Sequence, residues 1–323
     1  MPQDSIVYAV ARTRALETKL LNKEKLARII EAPDAASGLK ILTEYGYGGG
    51  RTDYEAMIDY ELSEMSGYIN SVTPNRYATG AFLLKYDCHN IKTIFKAKML
   101  GISPDDLLTG IGTIDREKLK SAIEDGDFEI LPPNMAQAAR ELKEKTELGQ
   151  VPPQSVDLLL DNACFADMAH YASESGDEFV IECVRAVADL LNFRTVLRAK
   201  KGAIPLEKAL VGGGSVPKER FIQCAEMQAD EILIKTGIAK YGRAVNIEDY
   251  VKTGSTKVLE KQADDYILGL AKQKKYESFS IAPLIGYILA KEREAQAVRL
   301  IMIAKANGAE SQMIQERLRE QDE

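Results

Sequence analysis

Few residues of this chain could do covalent chemistry, and their spacing decides which chemistry is open to them. The two histidines, His89 and His170, stand 81 residues apart and belong to no HExxH or HxxxH pair, so nothing places two imidazoles on one helix face as a zinc site requires. The four cysteines, Cys88, Cys164, Cys183 and Cys224, are separated by 76, 19 and 41 residues, with no CxxC. Neither a zinc knuckle nor a redox pair is visible in that spacing, and free thiols packed as small hydrophobes in a reducing compartment are expected. Two glycine triplets invite a phosphate-loop reading. Gly212-Gly213-Gly214-Ser215-Val216-Pro217-Lys218 carries no GK[ST], however, and Pro217 removes an amide that could hold a phosphate. Gly48-Gly49-Gly50 leads into Arg51-Thr52-Asp53, which reads as a helix cap. Both triplets are expected to be loops. There is no GxSxG elbow, and the plentiful carboxylates read as the wet faces of amphipathic helices. No catalytic residue, metal ligand or cofactor is expected.

What remains is a basic stripe that the chain writes more than once. Asn90–Ile102 reads NIKTIFKAKMLGI, Asn192–Ile204 reads NFRTVLRAKKGAI, and Ala297–Gly308 reads AVRLIMIAKANG. Aligning them superposes Lys92, Arg194 and Arg299, then Ile94, Val196 and Ile301, then Ala97, Ala199 and Ala304, then Lys98, Lys200 and Lys305. Asp87, Asp189 and Glu294 share the position five residues earlier. Lys92 with Lys96, and Arg194 with Arg198, stand four apart and so share one face of a helix. The third copy has Ile303 at that second position. Lys92, Lys96, Arg194, Arg198 and Arg299 are therefore the candidate partner-interface residues, a cationic surface for an acidic partner. A solvated stripe is the competing reading.

The punctuation repeats as well. Gly101, Gly202 and Gly308 follow each stripe, and Pro104, Pro205 or Ser311 stands three residues further on. Glycine after a helix supplies the left-handed terminal residue, and proline suits the first turn of the next helix. Ser103-Pro104-Asp105-Asp106 reads as the cap and acidic first turn of a new helix. Upstream lie amphipathic segments: Tyr54, Ile58, Leu62, Met65 and Ile69; Val156, Leu159, Leu160, Ala163 and Tyr171; and Leu259, Ala263, Ile267 and Leu270. The period, roughly 100 residues, exceeds that of tetratricopeptide or HEAT repeats, at about 34 and 40–47 residues, and suits a small helical bundle. The fold class expected is all-α: three similar helical-bundle domains, 1–102, 103–203 and 204–323, in a pseudo-threefold arrangement.

Composition agrees with helix. Among 323 residues, 45% are hydrophobic and 28% charged, Trp is absent, and Leu, Ala, Glu, Lys and Arg dominate. The net charge of -7 argues against a nucleic-acid binder, which usually carries a basic footprint. The first residues lack the apolar core of a signal peptide, and the aliphatic run Leu300–Ala304 is too short to span a bilayer, which takes about 20 residues.

Taken together, YAVARTRALETKLLNKEKLARIIEAPD, YGYG at 45–48, DCHNIKTIFKAKMLGI, DLLNFRTVLRAKKGAI and KEREAQAVRLIMIAKANG resemble the C subunit of A-type and V-type rotary ATPases, the family of the eukaryotic d subunit. The resemblance covers essentially the whole chain. It implies a helical funnel of three domains without a nucleotide site. One copy per complex would sit on the membrane rotor ring of proteolipid subunits and take the foot of the central shaft, formed by D- and F-type subunits. Such a part couples shaft rotation to ion transport and makes no membrane span. It would lie peripherally on the cytoplasmic face of the membrane. Two other readings stay open on the residues: a freestanding helical scaffold, and an RNA-binding helical array. The second is disfavoured by the net charge and by the lack of aromatic stacking platforms beside the stripes.

Overall fold

The computed structural model describes residues 5–147, 152–199 and 205–322. Among them every regular element is helical: α1 (Ile6–Glu17), α2 (Lys23–Glu31), α3 (Ala35–Glu44), α4 (Tyr54–Val72), α5 (Arg76–Leu100), α6 (Arg116–Asp125), α7 (Pro133–Glu147) and α8 (Pro153–Ser175). There follow α9 (Glu178–Ala199), α10 (Leu206–Ala209), α11 (Lys218–Gln223), α12 (Ala229–Thr236), α13 (Glu248–Thr253), α14 (Lys257–Gln273), α15 (Ala282–Ala306) and α16 (Ser311–Asp322). Short 3-10 turns cover Asp105–Leu107 and Ile238–Val245. The all-α expectation is met. Lys200, Gly202 and Ile204, parts of the second repeat, lie outside the described residues.

Side-chain caps set the helix starts. Ser5, Asn22, Asp34, Asp53, Asn75 and Asp115 each accept a hydrogen bond from the backbone N–H three residues on, satisfying one of the orphan amides of a first turn. Asp53 is thus the cap that the first glycine triplet leads into. At the far end of α5, Gly101 takes the left-handed conformation (φ 67°, ψ 30°), and the Ile102 N–H turns back to the Ala97 carbonyl.

The chain forms two compact units. The first comprises residues 1–74, 109–111 and 275–323. In it α15 is the central helix, packed against α4, α1, α2 and α3, with α16 covering α2. Ile58, Leu62, Met65 and Ile69 of α4 are buried, as the spacing predicts. The second unit comprises residues 75–108 and 112–274. There α5 packs along α8, α8 is flanked by α7 and α9, and α9 packs on α14.

One expectation needs correction, and one element runs longer than its stripe. The stripe of the first repeat is the last half of α5, a 25-residue helix, and His89 lies in mid-helix. The reason the first half of α5 escapes periodicity is burial on all sides there. Seven consecutive residues, Ala78 to Leu84, are buried, and a helix apolar all round shows no amphipathic pattern. Gly80 within that run gives the Tyr171 ring its place: a Cβ there would meet two ring carbons at 3.0 Å. The corrected expectation is the helix start at Pro104, which opens only one 3-10 turn, because Thr109, Gly110 and Gly112 follow at once. The next α-helix waits for the Asp115 cap. Pro205 behaves alike, opening the single turn α10 before the second glycine triplet.

Candidate partner interface and the carboxylates behind it

The long helices α5, α9 and α15 carry the stripes, and each stripe meets acid from a helix packed beside it. Lys92 Nζ bonds Asp161 of α8 and stands 3.9 Å from Asp157, while Lys96 Nζ is 2.6 Å from Asp157. Arg194 of α9 reaches Glu260 of α14 at 3.4 Å. Arg299 of α15 grips Glu55 of α4 through two nitrogens, at 3.0 and 2.8 Å. Arg198 is exposed, and among the described residues it meets no carboxylate. Within the second unit, Lys92 and Lys96 are brought together on Asp157, while Arg194 meets a different acid, Glu260.

Exposure decides what these pairs contribute. The Lys92 and Arg194 side chains are only 18% and 15% exposed, whereas their acids are 48% and 62% exposed. Pairs open to water contribute about 0–1 kcal/mol each, so they align neighbouring helices more than they hold the fold. The Lys92 ammonium is nonetheless stabilised: burial works against its charge, but the neighbouring Cys88, with Asp161 and Asp157, holds its pKa above the ordinary lysine value. A half-neutralised stripe can take an acidic surface only by sharing or exchanging its own carboxylates. Arg198 is open to one directly.

Behind the stripes stands a set of buried residues whose role spacing alone did not disclose. Asp87 of α5 is fully buried and accepts from the Thr113 N–H at 2.9 Å, the Thr113 hydroxyl at 2.7 Å and the Ile114 N–H at 3.1 Å. Asp189 of α9, also fully buried, accepts from the Val216 N–H at 3.0 Å, from the Ser215 hydroxyl and from the Tyr241 hydroxyl at 2.6 Å. Glu294 of α15 accepts from the Leu21 N–H at 2.6 Å. In each case the donor amide belongs to the residue just before a helix N-cap: Ile114 before Asp115, Val216 before Pro217, Leu21 before Asn22. One device is thus built three times: an acid on a long helix holds the entry of a shorter helix. Hydrogen bonds to a charged group contribute about 1.5–3 kcal/mol each, more than the exposed ion pairs.

Glycine makes the approach possible. A Cβ on Gly112 would stand 2.2 Å from Asp87 Oδ1, and one on Gly214 would stand 2.2 Å from Asp189 Oδ1. The second glycine triplet is therefore a loop laid against a carboxylate. Asn192, one turn beyond Asp189, clamps the same loop by giving its amide to the Val211 carbonyl and accepting the Val211 N–H, both at 2.8 Å. The shared Asp and Asn spaced three apart were the available signal, since i and i+3 lie on one face. Burial pushes the Asp87 carboxyl up to about 6, against the three donors that favour its charge.

The third copy carries an added cation. Lys291, 5% exposed, donates to Glu61 and Glu294 at 2.6 Å each, and Glu61 in turn accepts the Gly48 N–H at 2.9 Å. The YGYG segment is thereby tied to α4 and α15. His170 is exposed, all four cysteines are free and buried, and no cluster of three metal-ligating side chains occurs among the described residues. No helix among them is long and apolar enough to cross a membrane.

The chain has known relatives along nearly its whole length. The family model described as ATP synthase (C/AC39) subunit matches residues 9–317. The chain is 25% identical to the C subunit of the V-type sodium ATPase of Enterococcus hirae, over 95% of this chain and 96% of that one. It is 27% identical to the C subunit of the A-type ATP synthase of Desulfurococcus sp. (strain SY), over 96% and 89%, and 25% identical to that of Methanocaldococcus jannaschii, over 92% and 82%. A match running from the first helix to the last takes in all three carboxylate clamps and all three stripes, and by it the chain belongs to the ATP synthase (C/AC39) subunit family.

Proposed function

We propose that this chain is a non-catalytic central-stalk subunit of a V-type or A-type ATPase, a socket that couples the rotating shaft to the proteolipid ring. One copy would serve each complex, on the cytoplasmic face of the membrane and without a span of its own. The observation that carries this reading is the family match over residues 9–317. The same local design in three places supports a pseudo-threefold funnel of repeats 1–102, 103–203 and 204–323. Asp87 of the first repeat holds a loop of the second, Asp189 of the second holds a loop of the third, and Glu294 of the third holds Leu21 of the first. The helix pairs α5–α8, α9–α14 and α15–α4 follow the same order. A torque-transmitting part needs such rigid, cross-braced helices and no reactive group.

The test is assembly. Removing this chain from its native complex should leave shaft and ring subunits unable to co-purify after detergent extraction, and adding it back should restore them. Shaft and ring that stay joined without it would refute the socket, and a protein that never co-purifies with either would be a freestanding scaffold. Lys92, Lys96, Arg194, Arg198 and Arg299 are proposed as the cationic contacts. Swapping charges within a pair, Lys92→Asp with Asp161→Lys and Arg194→Glu with Glu260→Arg, keeps the internal bridges while reversing the stripe. Lost, salt-sensitive assembly is expected; undisturbed assembly would reduce the stripe to an internal brace.

A further inference from the structure

The first unit holds a cavity of about 660 Å³, within the size range of small-molecule sites, about 300–1,000 Å³. Its lining contains four cations, Arg12, Lys19, Lys25 and Lys291, against two carboxylates, Glu61 and Glu64. That local excess of positive charge stands out in a chain of net charge -7. Lys291 is committed to Glu61 and Glu294, but Arg12, Lys19 and Lys25 meet no carboxylate among the described residues.

The aromatic residues of the cavity are arranged around these cations. The Arg12 guanidinium lies 5.2 Å from the centre of the Tyr68 ring, Lys25 Nζ 5.6 Å from that of Tyr45, and Lys291 Nζ 5.5 Å from that of Tyr47. Each of these rings lies against a cation and belongs to the lining of the same space. A second observation is independent of charge. Tyr47 is 5% exposed, lines the cavity, and its hydroxyl has no hydrogen-bond partner. A buried polar atom without a partner is costly, and a ligand group that reached the Tyr47 hydroxyl from this cavity would satisfy it.

We propose that this cavity binds a small organic phosphate: the anionic head lies between Arg12, Lys19 and Lys25, and a planar body lies along the tyrosines with a polar atom on the Tyr47 hydroxyl. Three cations without carboxylate partners suit a group that carries about −1.5 to −2 charge better than a single carboxylate. The rings suit a flat, apolar body.

Phenyl phosphate is the probe, measured by titration calorimetry on the full chain, with phenol and inorganic phosphate as its two halves. Saturable binding of phenyl phosphate is expected, at least tenfold tighter than either half. Arg12→Gln with Lys25→Gln should weaken it at least tenfold. Tyr47→Phe should weaken it while leaving the thermal midpoint of the free protein no lower, because an unpartnered hydroxyl has been removed. That variant separates loss of a contact from loss of the fold. Absence of saturable binding, or equal binding by the double variant, overturns the site. Inorganic phosphate binding as tightly as phenyl phosphate overturns the organic body.

Discussion

Lys291→Met should be among the most damaging single changes in the first unit. Lys291 Nζ sits 2.6 Å from both Glu61 and Glu294, and the three side chains are 7%, 17% and 3% exposed. Without the ammonium, Glu294 keeps the Leu21 amide and Glu61 keeps the Gly48 amide, but two carboxylates then face each other with no cation between them. Breaking a buried pair by removing one partner costs about 3–5 kcal/mol. In a unit of this size that lowers the melting midpoint by roughly 10 °C or more. Far-ultraviolet circular dichroism in a urea or thermal series would read it. The companion variant is Lys291→Met with Glu61→Gln and Glu294→Gln. Its carboxamide oxygens still accept the Gly48 and Leu21 amides, so stability should return to within about 1–2 kcal/mol of the parent, since neutral replacement of a buried ion network is often tolerated. The reasoning is refuted if Lys291→Met costs less than about 1 kcal/mol, or if the triple variant is worse than the single one.

The remaining predictions concern the clamps and the tyrosines. Gly112→Ala, at φ 142°, and Gly214→Ala push a methyl into Asp87 and Asp189, and each should destabilise by more than about 1 kcal/mol in denaturant titration. Because burial raises Asp87 to about 6, the unfolded chain releases this proton first, and stability falls as pH rises between about 4 and 6. Asp87→Asn should flatten that segment of the stability–pH curve. At high pH the sign is the same. Burial raises Tyr287 to about 12 and raises Tyr47 and Tyr241 as well, so the unfolded state ionises first and stability is lost from about pH 10 upward. The share of tyrosinate absorbance that belongs to these three rings should therefore appear together with unfolding, not before it. Glu55→Ala removes only a pair whose side chains are 43% and 47% exposed, and should change stability by less than about 1 kcal/mol.

Much of this design is legible in the chain as written. Helix stops such as Gly101, the loop nature of Gly212–Gly214, the apolar faces of α4 and α8 and the register that superposes Asp87, Asp189 and Glu294 all come from local rules of propensity, periodicity and capping. The length of α5 does not, because its stretch Ala78 to Leu84, buried on every side, has no periodic contrast to detect. Nor could the sequence say what the shared acids do. Asp87 and Thr113 are 26 residues apart, and Glu294 and Leu21 are 273 apart. A carboxylate's partner is chosen by the packing of distant helices, and only there does burial turn an ordinary acid into a clamp. The stripe follows the same division. Sequence placed Lys92, Arg194 and Arg299 at one repeat position. The tertiary structure alone supplied Asp161, Glu260 and Glu55 as their partners, because a neighbouring helix, unlike a neighbouring residue, is set by the fold.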